Sequence, residues 1–357
     1  IKMPKLFSGI SERIDMLKKA VISLSFVLVL FGCAQKSTEW NKDHVLQLAE
    51  SIPLTGNPMD LDTSGQNVYI AEDQGGLSIV NLSAHTRQWI TNFISVTGDT
   101  IPLIKIRKVS VVPEINRLFI NETDGSDLIR IINTTNPDSM RILDNITGAT
   151  QDIQDMKFQA ITDAGNQFIY EGFFCSGRDV SYGKYGVHAA GLPPYFSITK
   201  TYTSPASANG AFFTNQYVYV AAEQRGLEIF NRSSGSRIGE LDLPGEAQKV
   251  KVVGNYAYLP CRQNGLQIVN VAEPSAPYKV SGYDTGGYAT NVDVWNNYAA
   301  VSSGGGGVYL FDVTNPAHPV LLDNITDCGY ANNVRFLNGK LLVAARDKGL
   351  LIYKLVF

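Results

Sequence analysis

Three residues ahead of a recurring glycine, the chain places charged side chains. Before Gly76, Gly226, Gly265, Gly307 and Gly349 stand Asp73, Glu223, Arg262, Gly304 and Arg346. Glu122 and Glu171 fall near the same place in two less regular units. Carboxylates on one arc facing arginines on another can hold a molecule that complements both signs, such as a zwitterionic or hydroxyl-rich ligand or a charged protein loop. The same carboxylates offer a second chemistry, because a pair such as Glu122 and Glu171 is the residue set of glycoside hydrolysis. Other chemistries find no footing. The histidines, His44, His85, His188 and His318, sit in no H-E-x-x-H, and there is no G-x-S-x-G, no Walker loop and no GxGxxG opening a helix. "NETDGSD" (121–127) lacks the ligand alternation and distal glutamate of a calcium loop, and no Cys-x-x-Cys pair suggests zinc. No metal or cofactor is expected.

The elements that must position these residues are short alternating runs. Each repeat glycine opens one: "GLSIVN", "GLEIFN", "GLQIVN", "GVYLFD" and "GLLIYK". Upstream of each lie two more, such as "NVDVW" and "YAAVS" ahead of Gly307, and a fourth closes the unit, as "PVLLDNI" does. Four alternating strands per roughly 40 residues, joined by Gly, Asn and Pro turns, are the sequence form of a β-propeller blade. Two degenerate units fill the gap between the first clear unit and the next, which is the fourth of the ring. One holds "KVSVV", "RLFINE", "LIRIIN" and "MRILDNI"; the other holds "MKFQAI", "QFIYEGFF", a long loop and "YFSITKTY". The last unit stops after its third strand, while "HVLQLAESI" (44–52) precedes any innermost strand. An all-β, seven-bladed β-propeller closed by its N-terminal strand follows, spanning 44–357, since closure removes exposed sheet edges.

That geometry puts the turns between second and third strands, and the connections from blade to blade, on one face around a central channel. A second ring of candidates lies there, at the start of each innermost strand: Asp60, Lys108, Asp155, Gly210, Lys249, Asn291 and Asn333. The segment "FFCSGRDVSYGKYGVH" (173–188), if raised above the mouth, would offer Phe173, Phe174, Tyr182 and Tyr185 for stacking on a sugar or aromatic group.

"GLQIVNVAEPSAP", "GVYLFDVTNPAHP" and "GLEIFN" resemble the LVIVD-repeat propellers, whose unit ends in G-L-x-I-[VF]-[DN] followed by an x-x-P-x-x-P turn. The resemblance implies an exported or surface protein and assigns no chemistry. Net charge is −3 with 18% charged residues, so no global field points to nucleic acid.

Ahead of the repeats, "MLKKAVISLSFVLVLFGCAQ" from Met16 joins two lysines to a short apolar run, the pattern of an export signal. Its "LFGC" resembles the lipobox of bacterial lipoproteins, with Leu30 three positions before the cysteine and Gly32 next to it. The resemblance implies a signal over 1–32 with an upstream extension, lipid on Cys33, and a tether over 33–43. Ala34-Gln35 lacks an inner-membrane retention aspartate, which implies the outer membrane, facing periplasm or cell surface. With Cys33 carrying lipid, Cys175, Cys261 and Cys328 leave at least one free thiol. The expected function is binding of a ligand or envelope protein on the channel face, without catalysis. The alternatives are a carbohydrate-active hydrolase or lyase, and a scaffold in an outer-membrane complex.

Overall fold

The repeat glycine shows why the chain repeats itself. In a computed structural model describing residues 44–95, 97–123, 127–136, 139–147, 152–162, 168–186 and 195–357, Gly76, Gly226, Gly265, Gly307 and Gly349 all have positive φ, between 64° and 87°. Each lies against the backbone of the blade's fourth strand. A β-carbon at Gly307 would stand 2.0 Å from the Ile325 carbonyl oxygen, and one at Gly226 2.5 Å from that of Leu241. Only glycine supplies both the turn and the clearance. The aspartate or asparagine ending the same strand accepts amide hydrogens of the following turn, as Asn231 does from Ser233 and Ser234 at 3.0 and 2.8 Å.

Seven sheets result, six of them with four strands and one with six. The innermost strands are Asp60–Ser64, Ile106–Val112, Ile153–Thr162, Gly210–Phe213, Lys251–Val253, Asn291–Trp295 and Ala331–Leu337. Each touches the next, and the last touches the first. The chain is therefore a closed seven-bladed β-propeller. Its apolar core is split into seven clusters, one in each gap between neighbouring blades. Both faces of every blade are buried, which is why second strands such as Tyr217–Ala221 read as unbroken apolar runs.

Closure uses the N-terminal strand, as the sequence implied. Leu46–Ile52 pairs antiparallel with Gly349–Leu355 as the fourth strand of the last blade. The repeat geometry persists across that seam, for a β-carbon on Gly349 would meet the Ile52 carbonyl oxygen at 2.3 Å. The Leu46 amide also donates to Asp323 Oδ2 of blade 6 at 2.8 Å.

Two details differ from the sequence reading. Blade 2 carries two extra short strands, Asn92–Ile94 and Thr100–Pro102, on its outer edge. In blade 3 the presumed loop contains the third strand, Asp179–Gly186, paired with Phe168–Ser176. Phe173, Phe174 and Tyr182 are buried in blade packing, so they do not stand above the mouth. The aromatic content marked a strand, whereas its glycines had suggested a loop. Residues 1–43, including Cys33 and the tether, and the end of that segment at His188 lie outside the described residues.

Deleting Leu46–Ile52 removes the fourth strand of the closing blade and a buried leucine. The deletion should cost more than ~3 kcal/mol, lowering the melting temperature by at least ~5 °C in calorimetry. An unchanged melting curve would contradict closure.

Candidate functional site

An innermost strand is paired on one side only, so every second amide faces outward with no ladder partner. The side chains lining the channel answer this need. Asp60 Oδ2 accepts the Val109 amide of the next blade at 3.1 Å, and Asp62 Oδ2 that of Val111 at 2.9 Å. Ser110 Oγ accepts from Phe158 at 3.0 Å, Asp155 Oδ2 from Ala211 at 3.2 Å and Asp293 Oδ2 from Phe336 at 2.9 Å. Five amides at blade junctions are thus capped by the preceding blade.

Each of these carboxylates has a second partner. Asp62 pairs with Lys157 at 2.6 Å and Arg335 at 2.9 Å; Asp293 pairs with Lys251 at 3.1 Å, and Asp155 with Lys249. Asp60 instead accepts from Asn333 Nδ2 at 2.6 Å. The ionisation states divide accordingly. Burial raises the Asp60 carboxyl above its usual range, and Lys108 and Lys249 offset this only in part. Burial alone would raise Asp62 too, but the charges of Lys157 and Arg335 and its hydrogen bonds hold it below the usual range. Lys108 is pulled down by burial and by Lys249.

These residues form two tiers. The sequence-predicted residues Asp60, Lys108, Asp155, Lys249, Asn291 and Asn333 all line the channel, in two adjoining cavities that share Lys249, Asn291 and Asn333. The mouth cavity, about 270 Å³, is also walled by Gln154, Asn209, Gln248, Asn332, Tyr330 and Arg346. The deeper one, about 180 Å³, is lined by Asp60, Asp155 and Lys249 and adds the charges of Lys157, Lys251, Asp293 and Arg335. That second tier went unread in the sequence. Its signal was simple, because each member sits two positions beyond a first-tier residue and so shares its face.

The ring at the turns behaves differently. Asp73, Glu223, Arg262 and Gly304 all have left-handed backbones, with φ of 50°, 45°, 39° and 52°. Each hydrogen-bonds by its backbone to the start of the next blade, as Arg262 does with Ala289 at 3.0 and 2.9 Å. Their backbones clamp blade to blade, and the side chains vary freely. Asp73 lies 3.9 Å from Arg107, and Arg262 pairs with Glu246 at 2.7 Å. Arg346 stacks on Tyr330 with 3.9 Å from guanidinium carbon to ring centroid.

Glu122 and Glu171 do not join that ring. Glu122 is buried, accepts the Ile104 amide at 3.0 Å and pairs with Arg130. It occupies the place of Glu72 in blade 1, which accepts the Thr55 and Gly56 amides, both at 2.9 Å. Glu171 lies within the second strand of blade 3, opposite Gln159. It lines a cavity of about 240 Å³ with Tyr182, Phe213 and Arg232, which adjoins the deeper channel cavity through Lys157, Phe173, Ala211 and Phe212. Burial would raise its carboxyl, but hydrogen bonds from Tyr182, Gln159 and Arg232 hold it down; burial and the bond to Glu171 push Tyr182 up to about 12. Among the described residues, Glu122 lines none of the cavities at the channel or around Glu171. The degenerate repeats hid the true register, which places the second-to-third-strand turn of blade 3 at Gly177 and Arg178. Cys175, Cys261 and Cys328 are buried free thiols, and burial raises the pKa of all three.

The comparisons agree with this architecture. The LVIVD repeat family matches residues 55–87, 244–285 and 286–327, which contain most of blade 1 and all of blades 5 and 6. The chain is thus a seven-bladed β-propeller that carries LVIVD repeats. Among solved structures it is similar to the WD40 repeats of RRP9, with TM-score 0.64 and 12% identity over 87% of this chain and 97% of that one. It is also similar to the computationally designed Ika8 protein, with TM-score 0.56 and 10% identity over 86% and 99%. At such identities these likenesses concern the fold alone. No curated protein matches.

Asp62→Asn should leave Lys157 and Arg335 without their counter-charge and cost about 3 kcal/mol at neutral pH, the lower end for a broken buried pair because Lys157 reaches the lumen. Since the folded carboxyl titrates below its unfolded value of about 3.9, the stabilisation is present above that pH and lost as the pH falls through the folded pKa. Denaturation curves of variant and wild type should therefore converge in acid. A constant gap down to the lowest pH would contradict the assignment.

Proposed function

We propose that the protein is an exported, membrane-anchored binding protein that takes a ligand or partner at the mouth of its channel and performs no chemistry on it. The observation that carries this reading is the mouth cavity itself, a concave polar site into which neutral amides and cations from six blades project. The non-catalytic part is supported by the channel carboxylates, each of which already accepts a backbone amide from the next blade. It is also supported by the separation of Glu122 from Glu171 into different surroundings.

Anchoring rests on the "LFGC" sequence and fits the topology of the ring. Leu46–Ile52 runs with Leu46 opposite Leu355 and Ile52 opposite Leu350. It therefore begins at the end of the ring away from the mouth. A lipid on Cys33 would tether the protein through the chain that leads into this strand, in the periplasm or at the cell exterior. The outer membrane is the proposed site.

Cys33→Ala should abolish acylation, read by mass spectrometry of the N-terminal peptide, and release the protein from the membrane fraction. Normal acylation and fractionation of the variant would overturn the anchor. For binding, the purified chain is screened against glycans and envelope fractions. Arg346→Ala and Gln248→Ala should weaken a hit by fivefold or more, and Asn255→Ala, in a turn at the opposite end, should not. Equal affinity for the mouth variants and wild type would remove this site from consideration.

A further inference from the structure

The charges of the channel do not cancel. Four carboxylates, Asp60, Asp62, Asp155 and Asp293, face into it or stand directly behind its wall. Lys157 and Arg335 are taken by Asp62, Lys249 by Asp155 and Lys251 by Asp293. Two cations remain. Among the described residues, Lys108 makes no ion pair or side-chain hydrogen bond, and Arg346 has only the ring of Tyr330. Both line the mouth cavity, and no carboxylate lines it with them.

The remaining wall adds hydrogen-bonding capacity without charge. Six carboxamides, Gln154, Asn209, Gln248, Asn291, Asn332 and Asn333, surround the two cations, with Thr290 and Tyr330. Carboxamides both donate and accept, so they suit hydroxyl groups better than a second formal charge. The volume, about 270 Å³, is near the lower bound of small-molecule sites, roughly 300 Å³.

We infer that the mouth holds an oxyanion, a carboxylate or phosphate carried on a hydroxylated molecule of about monosaccharide size, between Lys108 and Arg346. The inference rests on the mouth-binding reading above and names the ligand class for it. Charge-assisted hydrogen bonds from an ammonium and a guanidinium fix the anion, and the carboxamide ring takes the hydroxyls. Lys108 fits this role energetically. Burial and Lys249 disfavour its charged form, Asp60 and Asp155 offset this only in part, and an arriving anion would relieve the remainder. The opposing carboxylates Asp60 and Asp155 are already committed to Asn333, Lys249 and backbone amides.

The test is calorimetric titration of the full chain at low ionic strength with glucuronate, glucose 6-phosphate, inorganic phosphate and uncharged glucose. At least one sugar anion should bind tenfold or more tightly than glucose. Comparing glucuronate with the two phosphates separates a carboxylate from a phosphate ligand, and inorganic phosphate matching glucose 6-phosphate would assign the affinity to the bare anion. Lys108→Met and Arg346→Gln should each weaken that binding at least fivefold. Lys108→Met should melt at or above the wild-type temperature, which distinguishes lost recognition from lost fold. Glucose binding as well as the anions, with the variants still weakening it, would overturn the charge inference and leave the mouth site standing. Anions bound equally by wild type and both variants would overturn both. No binding of any anion at millimolar concentration would overturn the inference alone.

Discussion

The open inner edge of each blade is the constraint on which the rest of this structure depends. A sheet that ends at a channel leaves a row of amides without ladder partners, and an unsatisfied buried amide costs about 1–3 kcal/mol. Here the neighbouring blade supplies the acceptor at several junctions, mostly as a carboxylate. Once carboxylates stand in a narrow lumen they require counter-charge, and Lys157, Lys249, Lys251 and Arg335 provide it. The polarity of the channel is thus first a consequence of β-geometry. Only what exceeds that requirement says anything about a ligand.

The fold was legible in the sequence because its two strongest demands are local. A glycine is obligatory where a left-handed turn also presses against the fourth strand, and that pressure recurs at Gly76, Gly226, Gly265, Gly307 and Gly349. The missing fourth strand of the last unit and the surplus strand at the start could be matched by counting. The site was legible in part. Residues Asp60, Lys108, Asp155, Lys249, Asn291 and Asn333 reach the channel because they share one place in the blade. Glu122 and Glu171 were misplaced because blades 2 and 3 lack the repeat glycine that sets the count. Without it, offset along the chain no longer reports height along the channel.

The turn ring illustrates a different limit. Asp73, Glu223, Arg262 and Gly304 recur at one offset from the glycine, which invites a reading in terms of side-chain chemistry. What the offset encodes is a backbone conformation and amide hydrogen bonding to the next blade. The change from carboxylate to arginine to glycine along the ring is what a backbone-determined position permits. Sequence spacing cannot separate a position selected for its side chain from one selected for its φ angle.

The deeper tier and the mouth therefore differ in charge balance, although they are built on the same strands. The deeper tier is close to balanced, with Asp62 and Asp293 matched by Lys157, Lys251 and Arg335. The mouth is not balanced, and the imbalance falls on blades 2 and 7, whose innermost strands flank that of blade 1. Desolvation and Lys249 oppose the charge of Lys108 there, and Asp60 and Asp155 compensate only in part. Charge at this ring position is shared by Asp60, Lys108, Asp155 and Lys249, while positions 291 and 333 carry asparagine. Of the ring's two lysines, Lys249 neutralises Asp155, whereas Lys108 makes no ion pair among the described residues, so the amide-capping scheme does not employ it.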